Sequence, residues 1–190
     1  MPRKRTISDE ALLDAALLLV RADGPDSLTF AALAGASGLA APTIVQRFGS
    51  KAALLRAALS RAWDQLDADT AAADDAAPMG ARGVVELLVA LSGQYKAEDY
   101  ADQLLVLRED LRDPVLRARG DAWMHTLTAA IERRLTRRPR DQDRVAGLGR
   151  LVIAQWQGTL TVWSFVRHAP LKDAVTSSLD DLFHRLKISG

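Results

Sequence analysis

Thr43, Gln46 and Arg47 fall together in the short segment APTIVQRF, residues 41–48. These are side chains that can read the edge of a base pair. A glutamine can pair bidentately with adenine, and a threonine can bond a base edge or pack its methyl on thymine. An arginine can reach guanine or a backbone phosphate. Ala41 and Pro42 precede them on the same outward face if the segment is helical. Cations that could meet phosphates stand nearby in sequence or at the chain start: Lys51, and the cluster Arg3, Lys4, Arg5. The cluster reads either as an arm for a minor groove or as a solvated tail.

Other chemistries find little support. The chain has 190 residues and no cysteine, which excludes disulfides, thiolate metal sites and cysteine nucleophiles. His125, His168 and His184 stand apart without metal-ligand spacing. No serine has a nucleophile-elbow setting. Gly147-Leu148-Gly149 follows no strand and so is no phosphate loop. Acidic neighbours such as Glu109 and Asp110 fall on faces expected to be exposed. We therefore expect no catalytic residue, no metal and no cofactor. The formal net charge of +1 means that any nucleic-acid function must come from local charge. With 48% hydrophobic and 26% charged residues the chain is globular, not disordered. The longest apolar stretch, residues 151–166, is broken by Gln155 and Gln157 and is too short to span a bilayer. A soluble, cytoplasmic protein is expected.

The elements that would position Thr43 and Gln46 are helices. Ser8 can cap a first helix, with Asp9 and Glu10 favourable at its positive end and Ile7 and Leu12 as a staple. Gly24 and Pro25 end it. Thr29 caps a short second helix that Gly38 stops. A third holds Pro42 in its first turn, where the missing N–H costs little. A steep crossing of two helices through a short turn needs a residue tolerant of unusual backbone angles, a small residue on the first helix and an apolar anchor on the second. Gly38, Ala34 and Ile44 supply these, with Leu33, Leu39 and Phe48 completing the core. That is the helix-turn-helix pattern, over about residues 29–48, and it offers the outer face of the second helix to a major groove. The alternative is a compact three-helix corner with no ligand.

Further along, Ser50 caps a long helix, and residues 70–83 are expected to be a loop. Helices are predicted over about 84–95, 100–110, 114 to the 133–140 arginine cluster, 141–167 and 171–187. The fold class is therefore all-α, with about nine helices. The basic residues Arg133, Arg134, Arg137, Arg138 and Arg140 are read as cations at a helix C-terminus.

Over about residues 7 to 56 the chain resembles the DNA-binding domain of TetR-type transcriptional regulators. Ala15, Ala16, Gly24, Thr29, Leu33, Ala34, Gly38, Leu39, Thr43, Ile44, Phe48, Ser50, Lys51 and Leu54 carry the resemblance. It implies a repressor that binds palindromic operator DNA as a homodimer and is released by a small-molecule inducer. It implies a DNA-binding domain over residues 1–50 and a helical ligand-binding and dimerisation domain over 51–190. It also puts Thr29 and Lys51 at phosphates, a reading preferred here to the alternative that Thr29 only caps its helix and Lys51 is an ordinary surface lysine. The chain departs from the family at Ala40, often serine, at Val45, often tyrosine, and at Arg47, often histidine. A helical protein-binding adaptor with a degenerate DNA head is the rival reading that these departures keep open.

The predicted helix 141–167 is apolar nearly all round, so it needs cover on more than one side. Leu151, Gln155, Gly158 and Val162 on it, and Val175, Leu179, Leu182 and Phe183 on the last helix, are the candidate dimer surface. Gly147, Gly149 and Gly158 would permit close approach. Tyr100, Trp123, Met124 and Trp156 are candidate walls of an inducer pocket, with Gln155, Gln157 or His125 as candidate polar contacts, and the pocket would suit an apolar or aromatic ligand.

Overall fold

Capping chemistry sets the first three helices. In the computed structural model, which describes residues 7–93, 100–136, 138 and 142–188, helix α1 runs Asp9–Asp23. Ser8 Oγ accepts a hydrogen bond from Ala11 N at 3.2 Å, and Gly24 closes the helix at φ 77°. Helix α2, Phe30–Ser37, starts in the same way, with Thr29 Oγ1 accepting from Ala32 N at 3.0 Å. Gly38 then adopts the left-handed conformation, φ 72° and ψ 8°. A methyl group there would meet no atom within 4 Å, so the backbone angle alone asks for glycine. Helix α3, Ala41–Phe48, follows with Pro42 in its first turn.

Helix α4 spans Lys51–Ala76, with Ser50 Oγ accepting from Ala53 N. Its length corrects the expected loop at 70–83: residues 70–76 are helical. Alanine favours the helix intrinsically, and two polar side chains find distant partners. Thr70 Oγ1 accepts from Trp123 Nε1 at 2.9 Å, and the Asp74 carboxylate accepts from Arg133 and Arg134. The turn is confined to residues 77–80, and α5 covers Ala81–Ser92. Helix α6 is Tyr100–Arg112 and α7 is Pro114–Leu135, the latter capped by Asp113 Oδ1 through Val115 N at 2.9 Å.

The predicted helix 141–167 is a second correction, because it breaks in two. A four-residue piece, α8 (Gln142–Val145), is followed by Gly147 at φ 83° and then α9 (Leu148–Val166). Glu132 Oε1, reaching over from α7, accepts from Gly147 N at 2.8 Å and Gly149 N at 3.3 Å, so it caps the new helix. Helix α10 is Leu171–Arg185. No strand occurs among the described residues.

Two compact units divide the chain: Met1–Leu66 with Glu98–Gly120, and Asp67–Ala97 with Asp121–Gly190. The first is built on Leu12, Leu28, Leu33, Ile44, Leu54 and Leu116, all buried. The second is built on Leu87 and Leu88 of α5, Leu127 and Ile131 of α7, Val152 and Trp156 of α9, and Val175 and Leu179 of α10. No helix among the described residues is long and apolar enough to cross a membrane.

Candidate nucleic-acid interface

The spacing within α3 sorts its side chains. Ile44 is fully buried in the core of the first unit, which pins the helix, and Phe48 packs against that core. Pro42, Val45, Gln46 and Arg47 are exposed, and Thr43 and Ala41 are half-buried. Ala40 stands at the N-cap with no side-chain bond; in the first turn of α3 Pro42 has no N–H to donate, and Thr43 N donates to Ala40 O at 2.9 Å. Serine there would have capped it.

The expected phosphate-binding side chains are held at the surface by local bonds. Thr29 is the cap of α2, as described. Lys51 Nζ donates to Asp26 O at 3.0 Å, across the loop that precedes α2. Arg47 does not project freely: its Nη1 donates to Ile7 O and to Asp9 Oδ1, both at 2.9 Å. Sequence reasoning assigned Asp9 only to the dipole of α1 and did not see this pair. Arg3, Lys4 and Arg5 lie outside the described residues.

Several polar bonds of this unit fasten α4 to its neighbours. Asp14 of α1 accepts from Arg61 Nε at 3.1 Å and Gln65 Nε2 at 2.9 Å. The Asp14 bond raises the Arg61 guanidinium further above its ordinary value. Arg56 Nε donates to Asp113 Oδ2 at 2.6 Å, which holds that carboxyl below the usual range. Trp63 Nε1 donates to Asp110 Oδ1 at 3.2 Å. Burial pushes the Asp110 carboxyl up to about 6; the indole bond opposes the shift, and Asp113 and Glu109 add to it.

In the second unit, the candidate dimer residues separate into two groups. Leu151, Gln155, Gly158 and Val162 are exposed along one face of α9, with Val162 at 61% and the neighbouring Phe165 at 84%. Val175, Leu179 and Phe183 are instead buried, and Leu182 half-buried, because α10 packs on α5 and α9 of the same chain. That stripe is already covered. Gly149 also serves the chain itself: a methyl there would stand 2.8 Å from Thr128 Cγ2, so its close approach is to α7. At Gly158 a methyl meets nothing within 4 Å.

Of the candidate ligand walls, the structure brings two together. Trp123 and Trp156 are buried with ring centroids 6.4 Å apart, tilted at 48°. Their indole N–H groups donate to Thr70 Oγ1 and, at 2.8 Å, to Ser92 Oγ. Met124 and His125 are exposed on α7, His125 lying 3.8 Å from Asp121. The Tyr100 side chain lies outside the described residues. An open groove of about 590 Å³ between α5 and α10 is lined by Val85, Lys172, Phe183 and His184 among others, and by none of these candidates. Among the described residues no cluster of His, Asp or Glu has metal-binding geometry.

Residues 12–58 match the family described as bacterial regulatory proteins, tetR family. No curated protein matches the chain. Among solved structures, the chain is similar to a TetR transcriptional regulator from Legionella pneumophila, at 16% identity and a TM-score of 0.69, covering 95% of this chain and 99% of that one. It is also similar to a cysteine mutant of the TetR family transcriptional regulator CifR complexed with 26-base-pair double-strand operator DNA. There the identity is 20% and the TM-score 0.51, over 94% of this chain and 99% of the other.

Proposed function

We propose that this chain, whose residues 12–58 are a tetR-family domain, is a cytoplasmic transcriptional repressor that binds palindromic operator DNA as a homodimer. The observation that carries the reading is the posture of α3. Ile44 and the left-handed Gly38 fix the helix against the first unit, while Gln46 stands exposed and Thr43 half-exposed beside an uncapped helix start. Thr43 and Gln46 are the base readers. Thr29 and Lys51, each at a helix start, hold phosphates. DNA binding belongs to residues 1–50, and ligand binding and dimerisation to 51–190. The exposed face of α9, from Leu151 to Phe165, is the side offered to the second copy. An apolar or aromatic inducer enters the second unit beside Trp123 and Trp156 and releases the DNA. The similar CifR structure, with its operator, supports the DNA reading. No catalysis is assigned.

Selection of bound sequences from random duplex DNA tests this directly. A palindrome with half-sites about one helical turn apart is expected, and Gln46→Ala should change base preference at one position per half-site. Lys51→Ala should weaken all sequences alike and reduce the salt dependence by about one phosphate contact. A protein that binds no duplex at low ionic strength would instead be the helical adaptor that Ala40 and Val45 leave open.

A further inference from the structure

Helix α9 carries the face that Leu151, Val162 and Phe165 leave open, yet its own residues do not cap its start: Gly147 occupies the N-cap and offers no side-chain acceptor. Two anchors meet at this point. Arg144 of α8 donates through Nη2 to the carbonyls of Leu186 and Lys187, at 3.4 and 3.2 Å, so α8 is held by the end of α10. Glu132 of α7 accepts from Gly147 N and Gly149 N, so the start of α9 is held by α7. Gly149 makes that second anchor possible. A methyl there would stand 2.8 Å from the Thr128 carbonyl oxygen and 3.1 Å from Glu132 Cγ. The Gly147 carbonyl in turn accepts from Leu151 N at 3.4 Å. One carboxylate thus reaches, through a single glycine, the first residue of the open face. Further along, Val152, Trp156 and Leu160 are buried on the inner side of α9 and keep Val162 and Phe165 in place without Glu132. Leu151, 45% exposed, lies in the first turn, where backbone N–H groups have no partner within the helix.

We propose that Glu132 is a positioning residue for self-association: its carboxylate fixes the first turn of α9 and so holds Leu151 in the face offered to the second copy. The inference rests on the dimer reading above and deepens it. A carboxylate at a helix N-terminus satisfies orphan donors and meets the positive end of the dipole. Without it the first turn frays and Leu151 no longer keeps one position. In a symmetric pair each copy loses that contact, so the loss counts twice.

The test is sedimentation of the full chain, reading the dimer dissociation constant well below the melting temperature. L151A should raise that constant about 10- to 100-fold, because two leucine side chains leave the interface. E132A should raise it by about the same factor. The two changes should not add: in the L151A background, E132A should raise the constant by less than about threefold. A cap that served only the protomer would lower the melting temperature in both backgrounds and leave the dissociation constant alone. E132Q, which keeps an oxygen for the two N–H groups, should dimerise within about threefold of the parent. E132D, one methylene short of Gly147 N, should behave as E132A and serves if E132A unfolds. A parent that stays monomeric sinks the dimer reading and this inference with it. A parent that dimerises sinks this inference alone if L151A, or both E132A and E132D, leave the constant unchanged. So do losses from E132A and L151A that add in full, or an E132Q that falls as far as E132A.

Discussion

Replacing Asp110 with asparagine should stabilise the protein at neutral pH and leave it unchanged in acid, the reverse of the usual result for a carboxylate. The Asp110 carboxyl is partly buried beside Trp63, its indole N–H bond is neutral, and Asp113 and Glu109 add negative charge. These groups move it from 3.8 to about 6 in the folded state. The folded chain therefore holds the proton more tightly than the unfolded chain. That stabilisation is fully present below about pH 4 and is lost as pH rises through about 6. Taken whole, a shift of about two units corresponds to ~3 kcal/mol. Water reaches part of this carboxyl, and screening reduces the figure to about 1–1.5 kcal/mol. Asparagine keeps an oxygen for the Trp63 N–H and carries no charge. D110N should thus raise the melting temperature at pH 7.5 by about 3–5 °C for a chain of this size, and by less than about 1 °C at about pH 3, where the parent carboxyl is protonated in both the folded and the unfolded chain. Thermal melts of both proteins at the two pH values check this, and comparison at equal pH cancels every other titrating group. An equal shift at both pH values would make the effect one of packing. A lower melting temperature at pH 7.5 would mean that the charged form is the stabilising one, and the reasoning would be refuted.

Ser92→Ala should cost about 1–3 kcal/mol, because it leaves the buried Trp156 indole N–H without an acceptor. Adding Trp156→Phe should cost less in that background than in the parent, measured as a double-mutant cycle in urea. Asp74→Ala should cost about 3–5 kcal/mol, since Arg134 is buried and leans on the Asp74 carboxylate and main-chain carbonyl. Burial alone would raise the Asp74 carboxyl, yet the bonds from Arg133 and Arg134 hold it below the usual range. Asp74's contribution is therefore present above about pH 4 and lost as pH falls through its lowered folded value, which an acid unfolding titration against Asp74→Asn would read. Gly149→Ala should destabilise by about 1–3 kcal/mol, because the new methyl meets Thr128 at 2.8 Å. Gly158→Ala meets nothing within the chain and should stabilise the isolated protomer by up to about 1 kcal/mol. Sedimentation should then show a weaker dimer if that face is the interface.

The parts legible in the sequence are those whose causes sit within a few residues. Ser8, Thr29 and Asp113 announce their helices because a cap bonds three positions or fewer away. Gly24 and Gly38 announce ends because a left-turned backbone is a property of one residue. Ile44 shows as the anchor of α3 by the same short spacing. What the sequence hid lies at long range. The last two turns of α4 look like a loop of alanine and aspartate until Trp123 and Arg134 arrive from 53 and 60 residues away. The break before α9 is written in Gly147, but the group that makes a helix start there is the Glu132 carboxylate. Arg47 reads as an outward cation because its partner is 38 residues distant and already has an evident reason to be where it is.

The two faces of the second unit turn on the same distinction. A helix that is apolar all round must be covered twice, but composition does not say by what. For α10 the stripe Val175, Leu179, Phe183 is closed by α5 and α9, so its regular spacing describes a core. For α9 the inner side, Val152, Trp156 and Leu160, is closed likewise, and the outer side, Leu151, Val162 and Phe165, is not. Exposed apolar side chains scattered singly need no explanation, but several on one face of one helix do. Gln155 and Thr159 join that helix to Ser178 of α10 by bonds of 2.7 Å, so the face is presented on a fastened support. A glycine with open space above it, at the middle of that face, fits a second backbone coming close more readily than it fits any need of the protomer. The two glycines of α9 thus carry opposite meanings, and only the neighbours of each tell them apart.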